Sequence, residues 1–298
     1  MRVVVTGSHG FIGTALTARL QADGHQVTRL VRSPSPGPGE VAWDIERGSI
    51  DAAGLEAHDA VVHLAGAGIG DKRWTDTQKR AIRESRKRGT ELLARALSLL
   101  NARPRVLASG SAIGYYGDRG DEVLTEGSSP GDDFLAEVVV DWERATAAAA
   151  DAGIRVVLLR SGIVLSGRGG ALGKQLLPFK LGLGGRLGSG RQYQSWISLA
   201  DEIGAILHAA TDDTLSGPVN LTGPEPVTNI EFTKALGRAL HRPTVIPVPI
   251  AGVKLVFGKQ LVEEMLLASQ RVLPAALERS GYRFAHRTVD DALRAALA

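Results

Sequence analysis

No cysteine occurs in the 298 residues, which excludes a disulfide framework, thiolate catalysis and Cys-ligated zinc. No apolar run approaches the ~18 residues that a membrane span needs. Met1 to Val5 enters a strand pattern directly, without the basic and apolar stretches of a secretory signal. An excess of one charge is missing as well. The 35 Lys and Arg exceed the 32 Asp and Glu by only +3, too little for the broad basic surface of a nucleic-acid binder. The seven histidines show no metal-ligand spacing, and none is paired in sequence with a candidate nucleophile. These absences point to a globular, cytoplasmic protein with no metal and with neither membrane nor nucleic-acid partners, a monomer or homodimer acting on a small molecule. With 44% hydrophobic and 22% charged residues, the chain can bury a full core. Only glycine is unusual, at 36 residues.

What is present alternates between two periods. Val3-Val4-Val5 reads as a buried strand, and Phe11 to Leu20 carries helical spacing that ends at Gly24. Strands return at 25–31, 41–43, 60–64, 105–109 and 155–159, with helices expected at 75–100 and 132–151. The last of these strands is apolar on both faces, as a central parallel strand must be. The pattern predicts an α/β fold, a doubly wound parallel sheet over residues 1–160 with parts of 190–230 returning to it. Residues 161–298 then form a glycine-rich loop region, mobile around one short helix, and a smaller C-terminal lobe. Ten glycines between Gly162 and Gly190 are too many for regular structure.

Between the first strand and the first helix stands Thr6-Gly7-Ser8-His9-Gly10-Phe11-Ile12-Gly13, a G-x-x-G-x-x-G turn. Gly7 permits a sharp turn, Gly10 lets backbone approach a pyrophosphate, and Gly13 lets helix and strand pack closely. The helix N-terminus supplies N–H groups and positive potential. At the end of the second strand Arg32 stands where an acid would take the ribose 2′-OH of NAD, and no Asp or Glu occurs between Gly24 and Gly39. An Arg there suits the 2′-phosphate, so the expected cofactor is NADP(H).

Taken with this turn, His63-Leu64-Ala65-Gly66 and Ser109-Gly110-Ser111-Ala112-Ile113-Gly114-Tyr115-Tyr116-Gly117 make the chain resemble an extended short-chain dehydrogenase/reductase of Rossmann type. Asp71-Lys72-Arg73-Trp74, Gly184 to Gln192, Ser195-Trp196-Ile197, Asn220-Leu221-Thr222 and Gln270 to Pro274 make it similar to the atypical epimerase family branch, across essentially its whole length. The resemblance implies that Leu64, Ala65 and Gly66 line the cofactor where the fourth strand ends. It implies that Asp44 approaches the adenine, a turn cap being the alternative reading. It singles out Arg86 from the basic run Lys79 to Arg88, most of which reads as a solvated face diluted by Glu84 and Glu91. It also implies that Gln192 and Trp196 close a substrate pocket, although Trp196 reads equally as lobe core.

Members of this superfamily hold the substrate oxygen with a Ser or Thr and pass a proton through a Tyr-x-x-x-Lys pair, one helical turn apart. Ser111 matches the first. The helix that should carry the pair reads Asp133-Phe134-Leu135-Ala136-Glu137-Val138-Val139, and the pair is absent. Tyr115 and Tyr116 are the remaining phenols near the expected cleft, with Lys72 as an ammonium from another loop. The sequence therefore supports an NADP(H)-binding oxidoreductase or epimerase-like (isomerase) protein with a departed active site. The alternative is a non-catalytic NADP(H)-responsive binding or regulatory protein.

Overall fold

The computed structural model describes residues 1–70 and 72–298; Asp71 of the motif quoted above lies outside the described residues. Among the described residues the strands are β1 Arg2–Thr6, β2 Gln26–Val31, β3 Glu40–Asp44, β4 Ser49–Ile50, β5 Ala60–His63, β6 Val106–Ala112, β7 Val123–Leu124, β8 Arg155–Ser161, β9 Ile163–Leu165, β10 Tyr193–Gln194, β11 Trp196–Ser198, β12 Gly217–Leu221, β13 Val227–Thr228 and β14 Arg271–Val272. Eight of them make one sheet in the order β12-β8-β6-β5-β1-β2-β3-β4. Every pair in it is parallel except the terminal β3–β4. The order runs outward in both directions from β1, so the fold is a doubly wound, Rossmann-type α/β sheet with its switch point beside β1.

The helices are α1 Phe11–Ala22, α2 Asp76–Ser98, α3 Phe134–Arg144, α4 Ala147–Asp151, α5 Gly170–Lys180, α6 Leu199–Thr211, α7 Asn229–Leu240, α8 Ile250–Phe257, α9 Lys259–Leu261, α10 Ala275–Arg279 and α11 Val289–Leu297. Alternation along β1 builds both layers. Val3 and Val5 pack with Leu16 and Leu20 of α1 and Ile203 and Ile206 of α6, whereas Val4 packs with Leu93 and Leu97 of α2. A separate core joins Leu172 and Phe179 of α5, Phe232 of α7 and Leu293 of α11.

The single helix expected over 132–151 is two. Thr146 turns its Oγ1 back to the carbonyl of Glu143 (2.7 Å) at the break between α3 and α4, a local bond that competes with helix continuation. In the glycine-rich run, β9 and α5 form regular structure. A Cβ at Gly185 would overlap the carbonyl oxygen of Ile246, and one at Gly167 would come within 2.6 Å of the carbonyl oxygen of Ala296. These glycines admit close backbone approach, so part of the density read as loop is packing.

Candidate functional site

The site is built at the carboxyl edge of β1, β2, β5 and β6. Gly7 has φ +66°, and a Cβ there would stand 2.8 Å from the carbonyl of Leu64; backbone conformation and space both require glycine. A Cβ at Gly13 would overlap the oxygen of Gly7. The Gly10 N–H donates to that same oxygen (2.9 Å) and closes the turn. Gly10 then serves as the N-cap of α1, which has neither a side-chain cap nor an acid in its first turn. Such a terminus is set up for an anion. Ser8 strengthens the reading, because its Oγ is buried with no hydrogen-bond partner. Phe11 lies against Gly169 and Gly170, and Ile12 packs on the sheet core, so both anchor the turn from behind.

From this turn a cleft of about 570 Å³ runs across the edge, walled by Arg32, Trp43, Ile45, Leu64, Ala65 and Gly66 among others. Arg32 is exposed at the end of β2 and makes no ion pair among the described residues, while Arg29, three residues earlier, is occupied by Glu40 at 3.3 Å. Asp44 sits between two lining residues, but its Oδ1 accepts the N–H groups of Glu46 and Arg47, both at 3.0 Å. Its carboxylate is therefore spent on a turn cap.

A buried relay fixes the β5 edge. The Thr6 Oγ1 accepts from the N–H of Leu64 and of Ala65 (both 3.1 Å) and lies 2.7 Å from His63 Nδ1. With both lone pairs used, the hydroxyl must give its proton to Nδ1. His63 is then the Nε2–H tautomer and donates to Thr90 Oγ1 at 2.9 Å. Burial pushes the His63 pKa down to about 4, so the ring stays neutral. Arg86 closes the same corner. It is buried, donates to the carbonyls of Ala67 (2.9 Å) and Ile82 (3.2 Å), and leaves Nε without a partner. Among the described residues it has no carboxylate partner, and burial lowers its pKa to about 10. Its guanidinium lies where a Cβ on Gly66 would touch it, at 3.3 Å.

The structure brings Ser111, Tyr115 and Tyr116 together, along with two residues that sequence reasoning did not find. Ser111 donates to Glu143 Oε1 at 2.6 Å. Arg160 grips the same carboxylate with Nε (2.8 Å) and an Nη (2.9 Å). Its other Nη donates to the Tyr116 hydroxyl (3.0 Å), which in turn donates to Asn220 Oδ1 (2.7 Å). Burial opposes the charge on Arg160, but the bonds and charge of Glu143 outweigh it and hold the guanidinium above its ordinary value. Tyr116 is wholly buried, and burial raises its phenol further. Tyr115 is only half-buried, its ring 3.5 Å under the Arg160 guanidinium. The one signal in the sequence for this network is Arg160 itself, a cation directly after the apolar run Val156 to Leu159.

On α3, Leu135 and Val139 face Gly114, so hydrocarbon fills that side of the loop after β6. Lys72 is exposed and contacts none of these residues. Gln192 is buried, donating to the carbonyl of Leu187 at 3.1 Å. Trp196 is 1% exposed, bonded to the carbonyl of Glu225 and packed in the lobe core. The structure thus gives both to the lobe interior. Among the described residues no group of His, Asp and Glu is arranged to hold a metal ion.

A second buried ionisable group sets a pH signature. Glu202 on α6 is fully buried, and burial, partly offset by a bond from Ser161 (2.6 Å), raises its pKa to about 7. A carboxyl raised on folding contributes stability in full below its unfolded pKa and loses it as pH climbs through about 7. His63, lowered on folding, acts oppositely and loses stability as pH falls from its unfolded value toward about 4. Between these limits the two slopes oppose each other. Urea unfolding should therefore show Glu202→Gln gaining about 3 kcal/mol on the parent between pH 4 and pH 8. A pH-independent difference would mean that Glu202 ionises normally.

The model of the NAD dependent epimerase/dehydratase family matches residues 3–222, and a domain of unknown function, DUF1731, matches 248–296. An epimerase family protein of Mycobacterium bovis is 48% identical over 291 residues, 98% of this chain and 96% of the relative. The human epimerase family protein SDR39U1 is 41% identical over 297 residues, 99% of each chain. The crystal structure of that human protein (isoform 2) with NADPH has a TM-score of 0.91 at 40% identity, covering 99% of this chain and 98% of that one.

Proposed function

Because the chain belongs to the NAD dependent epimerase/dehydratase family, we propose that it binds NADP(H) along the cleft and acts as an oxidoreductase or epimerase-like enzyme on a small carbonyl compound or sugar nucleotide. The observation that carries this reading is the uncapped start of α1 beside the buried, unpartnered Ser8 Oγ. A pyrophosphate there satisfies both. Arg32 is free to fork onto a 2′-phosphate, and Leu64 to Gly66 offer a small-residue wall to a ribose. The human relative, whose structure is described with NADPH, supports the choice of cofactor.

NADP(H) supplies a hydride or accepts one. Arg86 holds the loop after β5 through the Ala67 carbonyl, with its guanidinium over the Trp142 ring. Ser111, its hydrogen committed to Glu143, presents only lone pairs and so accepts a hydrogen bond from a substrate hydroxyl. Tyr115 is the phenol left to pass a proton, since Tyr116 is enclosed. A second reading, a non-catalytic NADP(H)-responsive protein, is favoured by the mutual saturation of Ser111, Glu143, Arg160 and Tyr116.

Titration by nicotinamide fluorescence tests the cofactor. NADPH should bind about ten- to a hundredfold more tightly than NADH, the value of a charged hydrogen bond to phosphate, and Arg32→Ala should bring the two to parity. Equal affinities in the parent would remove the assignment.

A further inference from the structure

Charge is balanced over the whole chain but not within it. Residues 161–200 and 232–262 contain ten Lys and Arg and no Asp or Glu, which leaves 25 basic against 32 acidic residues in the rest. The fold brings the two segments together. Leu187 bridges Val248, Arg242 donates to the carbonyl of Lys180 at 2.8 Å, and Gly188 lies against Ile250. Of the eleven large hydrophobic side chains exposed among the described residues, eight lie in these two segments, including Leu177, Leu181, Val245, Leu255, Val256 and Phe257. The helix α8 buries none of its residues although only Lys254 among them is charged. Val245 is 84% exposed and Leu255 77%. Isolated exposed leucines are ordinary, but a cluster of this kind marks a surface that meets something.

We propose that this face is a docking surface for an anionic lipid bilayer, on which the protein rests from one side. Among the described residues no helix is long and apolar enough to cross a membrane, and α8 is one short helix, so contact is interfacial. Leu255, Val256 and Phe257 enter the headgroup region, and Lys180, Arg242 and Lys259 meet the phosphates. Two cations are already countered, Lys254 by Glu263 and Arg238 by Asp290, each at 2.7 Å, while Lys180 and Lys259 make no ion pair among the described residues. A shallow depression lined by Lys234, Arg238, His241 and Arg242 extends the basic area. A second copy docked face to face would set these cations against their own kind, so charge favours an anionic bilayer over an isologous dimer. This inference is independent of the cofactor reading.

Sedimentation with vesicles of phosphatidylcholine alone, and of phosphatidylcholine mixed with phosphatidylglycerol, tests it on the full chain. The mixed vesicles should capture at least about tenfold more protein. The variant Leu255→Ser/Val256→Ser/Phe257→Ser and the variant Lys180→Glu/Lys259→Glu should each lose about tenfold of that binding while keeping the parent's thermal midpoint. Equal capture by both vesicles, or by neither, overturns the proposal. So does self-association of the parent that the serine variant abolishes, which would make a second copy the occupant. Loss of binding in the charge-reversed variant alone also overturns it, since an insertion surface needs its apolar side chains.

Discussion

Replacing Glu143 with alanine is expected to destabilise the protein by about 3 to 5 kcal/mol, the usual cost of stripping one partner from a buried ion pair. Arg160 is 3% exposed at its side chain and Glu143 10%, so water cannot replace the lost carboxylate. The guanidinium would keep only the Tyr116 hydroxyl and a long bond of 3.4 Å to the carbonyl of Glu126, while Ser111 would lose its acceptor. Glu143→Gln preserves the shape and an acceptor oxygen but not the charge, and should fall between parent and alanine. Urea denaturation of the three proteins measures this directly. An alanine variant within about 1 kcal/mol of the parent, as surface pairs typically are, would show that the pair is not structural.

Local chemistry is what the sequence displays best. The turn from Gly7 to Gly13 was legible because each glycine answers a constraint within a few residues, and Val3 to Val5 because a central parallel strand is apolar on both faces. Arg32 stands out in the sequence through the acid that is missing around it. The Ser111–Glu143–Arg160 network does not, because its members come together from three elements and only Arg160 leaves a signal of its own. Trp196 and Asp44 show a different limit. An indole in a loop fits a pocket wall and a core alike, and a carboxylate after a strand fits a ligand and a turn cap alike; only the contacts distinguish them. The pairs β9–β11 and β7–β14 are two or three residues long and join distant segments, so they leave no periodic trace. In the glycine-rich run the constraint is again non-local. Gly185 is glycine because Ile246 is there.

Turnover is expected to be slow, by roughly 10² to 10⁴-fold against members that keep the Tyr-x-x-x-Lys pair, which is the usual contribution of positioned acid–base catalysis. Leu135 and Val139 can neither donate a proton nor favour a phenolate. Tyr116 has its hydroxyl spent on Asn220, and the cation against Tyr115 is the Arg160 guanidinium, already bound to Glu143. Hydride movement itself needs only the bound cofactor and a carbonyl held against its nicotinamide. The decisive measurement is therefore transfer of deuterium from NADPH labelled at the nicotinamide C4 to a panel of carbonyl compounds and sugar nucleotides, followed by mass spectrometry over long incubation. Slow, stereospecific labelling of at least one compound, reduced in Tyr115→Phe, is the expected result. Full cofactor occupancy with no label in any compound would contradict an enzyme and leave the NADP(H)-responsive binding protein.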